Sequence, residues 1–443
     1  MDKILQIQNE VFLRRPVLKE ILQTHGSDKL KTYVNNWPVF AGEVDKDFLE
    51  ILENEAGEIY GQKIAGGLVK QLREKPLIST IDHLGIWNHP IFVNSDVIFS
   101  LHFNSNEFVP VLATESVSLN NSSSWSASLL WHDDNLMLKR FSFLPDKQKG
   151  LPVFSCPAIS AGNLEQFVVK TKNKFKNLIE VLGLSEEKNL SIQACKASAR
   201  FWEKVFPCAP KLLYLPLETI VSKYLIKIFT NEENPITKII STEAGRKIWS
   251  KYFADEHTFM FWGIDKKGRR QSIKSIEEDF NQLLQSGQIY PSSPLCFMVL
   301  LFCGLTCAGG FTQTTWLSEV SGKFSKMLSE MGQSAAAQKV ESVFTRNFAE
   351  SVLAVLKIRD KFIFPSGVDL FFSGKDFYTN YIHLAENLTL AQSLNLAMPT
   401  IYSVVVPKAD KVSVFNLESM QQELFFLTSN EFKDMISMKY HTL

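Results

Sequence analysis

Two hydrophobic periods divide this chain. Through residues 1–75 apolar side chains recur at spacings of three and four, as in Phe48-Leu49-Ile51-Leu52 and Ile64-Leu68-Val69-Leu72, which predicts an N-terminal helical segment. Gly66-Gly67 falls inside the last of these helices and reads as a close-packing point rather than a phosphate loop. From residue 76 short apolar runs alternate with helical stretches. PLISTID is the first expected strand, PIFVNSDVIFSL the helix after it, FVPVLATE the second strand and SASLLWHD the third. VFSCPA, an amphipathic helix over 164–182 stopped by Gly183, the strand KLLYLPLE and the helix ETIVSKYLIKIF continue the alternation. Strands separated by helices of about ten or more residues argue for a parallel sheet with crossover helices. The expected fold class is therefore α/β, with a Rossmann-like domain over 76–230.

Residues 231–355 read as mostly helical and as contributing to the core, interrupted by a hairpin, TFMFWGIDKKGRRQSI. Ser275-Ile276-Glu277-Glu278 has the spacing of a capping box, and Gly287 closes the helix it would open. The most apolar window, 295–310 (LCFMVLLFCGLTCAGG), falls short of the roughly twenty residues that cross a bilayer and is expected as a buried helix. Beyond 355, the strand-like KFIFPSGVDLFFS, TIYSVVVP and KVSVFN and a helical tail predict a C-terminal α+β region over 356–443.

Composition narrows the function classes. With 443 residues, 47 basic and 47 acidic side chains and no charge runs, the chain has no field suited to a phosphate backbone or an anionic membrane. Neither nucleic acid nor membrane is expected as a partner, which leaves a small-molecule substrate. The first residues mix charges into apolar positions without a signal-peptide core, so a cytoplasmic location is expected. Six cysteines without CxxC pairs fit a reducing compartment and core packing.

Candidate chemistry sits where the loops of a parallel sheet gather, at the carboxyl ends of its strands. Asp82-His83 through Asn88-His89 follow the first strand, Thr114-Glu115-Ser116 the second and His132-Asp133-Asp134 the third, with Glu218-Thr219 a further candidate. Gly85 supplies a sharp turn and Pro90 suits a first helical position, which sets Asn88 or His89 at a cap beside backbone N–H groups that favour an anion. His83 and His89 are acid–base candidates because imidazole titrates near neutral pH. The bland alternative is a hydrogen-bonded turn and an ordinary helix start. Asp82, His83, His89, Glu115 and His132 also have the chemistry of metal ligands, but nothing in the sequence sets their distances. GxSxG, the Walker pattern and GxGxxG are absent.

These residues resemble a known family. Thr80, Gly85, Trp87 and Pro90 fall at the spacing with which the bacillithiol-synthesis cysteine ligase-like proteins open their Rossmann-like core. Val109-Pro110-Val111 leading to Ala113-Thr114-Glu115 is similar to that family's next strand, and Gly309-Gly310 to its Gly-Gly turn before an aromatic-bearing helix in the nucleotide-binding core. The resemblance implies ATP or ADP as cofactor and a ligase- or transferase-like condensation. Thr80, Gly85, Asn88, Ser116, Gly309 and Gly310 would line the cofactor site. His83 or His89 would act as acid–base group with Asp82 beside them, and Glu115 would orient a substrate amine or hydroxyl. The chain departs from the family at Ile81-Asp82-His83, His89 and Asp96, lacks the Asp-His-Asp after the second-strand Glu, and shows no long coiled coil. Ligation of cysteine is accordingly not implied. A metal-dependent hydrolase using the same His and carboxylate residues, and a non-catalytic binding module, are the alternatives.

Overall fold

The computed structural model describes residues 2–431, apart from 120, 122–124, 134, 146, 147, 149, 185, 186, 254–259, 267, 274–279, 354, 355, 359, 360, 375, 376 and 412–415; of 356–358 and 426–431 it describes the backbone alone. The capping-box reading at 275–278 and most of KVSVFN lie outside the described residues.

Five parallel strands form the central sheet: β1 (Leu77–Ser79), β2 (Phe108–Ala113), β3 (Lys211–Pro216), β4 (Thr306–Gly309) and β5 (Asn347–Phe348). Their spatial order is β5-β4-β1-β2-β3, all parallel. The chain builds outward from β1 to β2 and β3, then returns to place β4 on the other side of β1. Strand order thus reverses between β1 and β4, where open α/β sheets bind their ligands. The fold is the expected mixed α/β architecture with a Rossmann-like core, and the sheet draws β4 and β5 from the region read as mostly helical.

Helices cover both faces. Helix α1 (Pro90–Ser100) connects β1 to β2 and is buried on nearly every side, as its almost continuous apolar sequence requires. Helix α2 (Leu190–Val205) precedes β3, α3 (Leu217–Ile228) follows it, and α4 (Gln313–Glu330) links β4 to β5. N-terminal helices pack against these, and a Cβ on Gly67 would lie 2.9 Å from the Phe108 ring, so the Gly66-Gly67 step is a close-packing point as expected. No helix among the described residues is long and apolar enough to cross a membrane.

Several local expectations give way to tertiary structure. SASLLWHD is not a third parallel strand: Ser128–His132 pairs antiparallel with Leu138–Ser142 in a separate hairpin. Five intervening residues close a hairpin, whereas joining the parallel sheet needs a crossover of a dozen or more. VFSCPA holds a 3-10 turn, Val153–Ser155. The helix expected over 164–182 is two, Ala161–Lys170 and Lys176–Leu182, parted where Lys172 and Asn173 adopt positive φ; Gly183 ends the second in the left-handed region. The window 295–310 is not one helix. It comprises most of Ser293–Cys303, then Gly304 at φ 85°, then β4.

Phe261–Ile264 and Arg270–Ser272 form the expected hairpin, joined by Ile289–Pro291 as a third strand. In the C-terminal region Lys361–Ile363 is a strand but VDLFF is helical, within helix α5 (Gly367–Ser373). TIYSVVVP belongs to helix α6 (Leu390–Val405), whose Thr389–Gln392 capping box and packing against Asp2–Arg14 override the β-branched residues near its end.

Candidate functional site

The loop from Thr80 to His89 leaves β1 at the carboxyl edge and runs into α1. A bridge between His83 and Thr114 extends the β1–β2 pairing past the strand end, and Thr114 N–H donates to the Asp82 carbonyl at 2.9 Å. Gly85 is required by close approach, since a Cβ there would sit 2.6 Å from Ser126 Cα and 2.9 Å from its carbonyl oxygen. Backbone cannot yield as a side chain can. Gly85→Ala is therefore expected to destabilise the fold by about 2 kcal/mol in urea unfolding, the usual scale of overpacking.

Asn88 pins the loop. Its amide nitrogen donates to the carbonyls of Ile86 (2.7 Å) and Ser128 (3.1 Å), while its oxygen accepts from Leu130 N–H (2.9 Å). Those contacts tie the loop to the hairpin and occupy the amide on both sides. Trp87 is buried among Phe201, Trp202 and Phe206, and its indole N–H donates to Asp96 Oδ2 at 2.9 Å.

Beneath this loop lies a pair of acids. Asp82 and Asp96 are fully buried, and the Tyr214 hydroxyl on β3 hydrogen-bonds to Oδ2 of both. A hydroxyl carries one proton, so at full strength it can donate to only one of the two carboxyls at a time. Burial drives both acids upward, Asp82 well above the carboxylate range with the Asp96 charge adding to it, and Asp96 to about 8. Oδ1 of each is buried without a hydrogen-bond partner among the described residues.

The two imidazoles of the loop face one another's surroundings across Phe92, whose ring centroid is 5.8 Å from that of His83 and 5.2 Å from that of His89. His89 occupies the N-cap position of α1 but makes no side-chain cap. Nδ1 of each ring is buried, and neither ring has a hydrogen bond to the described residues. Burial lowers both to about 4, the His89 value further depressed by the neighbouring His83, so both are neutral at pH 7.

Across the strand reversal, Gly309 and Gly310 turn from β4 into α4. Phe311 N–H donates to Glu350 Oε2 at 3.0 Å, and a Cβ on Gly310 would fall 2.1 Å from that oxygen. Glu350, just past β5, thus holds the position at this turn where an anion would be bound. Burial raises it to about 8. The Gln313 amide donates to Thr80 Oγ1, joining the β1 and β4 loops.

Glu115 and Ser116 belong to a second carboxyl pair at the ends of β2 and β3. Glu218 accepts from the N–H groups of Glu115 (2.8 Å) and Ser116 (3.4 Å). Glu115 in turn accepts from Thr219 N–H (2.7 Å), Thr219 Oγ1 (2.5 Å) and Ser191 Oγ (2.8 Å). Each carboxyl caps the other's chain, and Glu115 lies at the positive end of α3. Both are fully buried. Burial raises Glu115, and burial with the Glu115 charge raises Glu218 to about 7. These contacts give Glu115 a structural task within the sheet edge.

His132 lies elsewhere. Its Nδ1 is 2.7 Å from Asp369 Oδ2 on α5, and its N–H donates to Asp369 Oδ1. Among the described residues no group of three or more His, Cys, Asp or Glu side chains is placed to hold a metal ion.

Thr80, Gly309 and Gly310 meet at the strand reversal through Gln313, whereas Asp82 and His83 lie on the β2 side of β1, against Tyr214 and Thr114, and His89 packs on Phe92 at the start of α1; Glu115 and Ser116 sit one strand away and Asn88 faces the hairpin. Tyr214 and Glu350 were not foreseen. Tyr214 offered a signal, being the one polar-tipped side chain within LLYLPL; Glu350 follows a two-residue strand too short to read. Comparison of the chain with family models, with curated proteins and with solved structures finds no match.

Proposed function

We propose that this protein is an α/β enzyme of ligase- or transferase-like type that brings a small nucleophile, an amine or an alcohol, to the strand reversal and takes its proton on His83 or His89. The observation that supports this most is that the His83 and His89 rings have no hydrogen-bond partners among the described residues. Histidines that serve structure commonly have a ring nitrogen fixed by a carbonyl or carboxylate, as His132 has. A neutral ring can accept a proton.

ATP or ADP would be the second substrate of such a condensation. A phosphate at the Gly309-Gly310 turn would have to displace Glu350 from Phe311 N–H, so the geometry favours the nucleophile half of the reaction over the nucleotide half. The metal-dependent hydrolase reading has no metal-binding group to support it among the described residues.

The test is a thermal-shift panel of small amines, alcohols and ATP with magnesium, run on the wild type and on His83→Asn and His89→Gln. The nucleophile that binds is expected to raise Tm, since saturation at a hundred times Kd stabilises by about 2.7 kcal/mol. Each variant is expected to weaken that ligand about tenfold, the scale of one lost hydrogen bond. An unchanged ligand response in both variants would remove these histidines from the site.

A further inference from the structure

Next to the strand reversal is a narrow cleft of about 50 Å³, lined by Pro90, Ile91 and Asn94 of α1, Phe311, Glu350 to Val352, Phe364, and Ala397, Thr400 and Ile401 of α6. Its walls are almost wholly apolar. The polar side chains lining it are already engaged: Asn94 Nδ2 donates to the Pro90 carbonyl and its Oδ1 accepts from Leu353 N–H, Ser351 Oγ accepts from Ser393, and Thr400 Oγ1 accepts from Gln421. Glu350 differs. Its Oε2 holds Phe311 N–H, while Oε1 has no hydrogen bond to the described residues, and no basic side chain lines the cleft.

We infer that this cleft is the substrate pocket for a primary amine bearing a short aliphatic group, with the Glu350 carboxylate as the counter-charge of its ammonium. The inference rests on the reading of the site under Proposed function and selects the amine from its two nucleophile classes. An uncompensated carboxyl in an apolar wall is unfavourable, and a cation that reaches it gains an interaction stronger than in water. An alcohol gains only a neutral hydrogen bond, and a carboxylate ligand meets like charge. Size sets the rest. One water takes about 10–15 Å³ of such space, so a cleft of about 50 Å³ admits roughly three to five heavy atoms in that wall. A branched four-carbon amine matches this, with the aliphatic part against Phe311, Val352, Ala397 and Ile401. A long-chain or sugar-bearing amine must leave most of itself outside.

The experiment is a calorimetric titration of the full chain at pH 8.5, above the value near 8 to which burial raises Glu350, with isobutylamine, isobutanol and isobutyrate as probes of one branched four-carbon skeleton and three charges. Isobutylamine is expected to bind at least tenfold more tightly than the other two. Glu350→Gln is expected to abolish that preference, and Ala397→Phe, which fills the cleft, to abolish binding of all three. Equal binding of amine and alcohol by the wild type overturns the inference without recourse to any variant, as does a preference that survives Glu350→Gln. Amine binding that survives Ala397→Phe in a folded protein places the ligand elsewhere and also overturns it. The histidine reading is scored separately, by imidazole C–H signals in NMR. If those signals respond to isobutanol while isobutylamine shows no preference, the amine pocket fails and the acid–base site stands. If the amine binds with its preference and the signals do not move, the cleft stands and the histidine roles fail.

Discussion

Raising the pH from 6.5 to 8 is expected to destabilise this protein by about 4 kcal/mol, at the standard 1.4 kcal/mol for each unit of pKa difference between folded and unfolded states. The groups responsible are buried acids. Asp96 and Glu350 titrate near 8 in the folded chain and Glu218 near 7, against ordinary values of 3.8, 4.5 and 4.5, and Asp82, raised further, adds in the same direction. The folded state keeps protons that the unfolded chain has already released, so stability present at low pH is lost as pH rises through the folded values. His83 and His89 act in the opposite sense. Their folded values near 4 lie below the usual 6.5, so they favour unfolding as pH falls through about 7 and below, and they offset part of the carboxyl effect there.

Between pH 6.5 and 8 the last of that offset fades, about 0.4 kcal/mol for each ring, and the acids dominate. A loss of about 4 kcal/mol corresponds to a fall of roughly 4 °C in Tm for a chain of this size, from an unfolding entropy of about 2 cal/mol/K per residue. Scanning calorimetry at the two pH values measures it. Glu350→Gln keeps an acceptor for Phe311 N–H and removes the ionisation, so its Tm is expected to fall only about half as far. A wild-type Tm that is flat or rises between these pH values would mean that the acids are not held protonated by burial.

Trp87→Ala is expected to destabilise the fold by about 3–5 kcal/mol, the cost of deleting a large core aromatic, and by more where the Asp96 carboxyl then loses a donor. Trp87 is 2% exposed and is ringed by Phe201, Trp202 and Phe206 at centroid distances of 5.2–5.8 Å. Trp87→Phe separates packing from hydrogen bonding, since it retains most of the ring and removes only the indole N–H to Asp96. Its expected cost is about 1–3 kcal/mol, that of a buried acceptor deprived of a partner. Urea unfolding of the three proteins at pH 6.5 gives both numbers. Equal losses in the two variants would show that the Asp96 hydrogen bond, not the aromatic cluster, is what Trp87 contributes.

Much of the frame was legible because its signals are local. Pro90 opens a helix because its missing N–H is no loss at a first helical position, and Gly183 ends one because a residue without Cβ enters the left-handed region freely. The strands LIS, FVPVLA and KLLYLP were visible as apolar runs between helices. Where the reading went astray, distant contacts outweighed local preference. SASLLWHD has the composition of a buried strand, yet its partner follows five residues later and closes a hairpin. TIYSVVVP is rich in β-branched residues but continues a helix already capped at Thr389 and packed on the N-terminal helix.

The candidate site divides in the same way. Composition and spacing alone marked Asp82, His83 and His89 as chemically able residues after a strand and before a helix, since side-chain type and a strand-to-helix turn are properties of neighbouring positions. Only the tertiary structure decided which of their atoms lack hydrogen-bond partners. It brought Tyr214 from β3 onto Asp82 and Asp96, set Glu350 against the Gly310 turn, and committed Glu115 to Thr219 and Ser191. Those pairings join residues more than a hundred positions apart in several cases, and their energies depend on burial. Burial does not exist until the strands are laid side by side, which is why no pattern along the chain could announce these pairings.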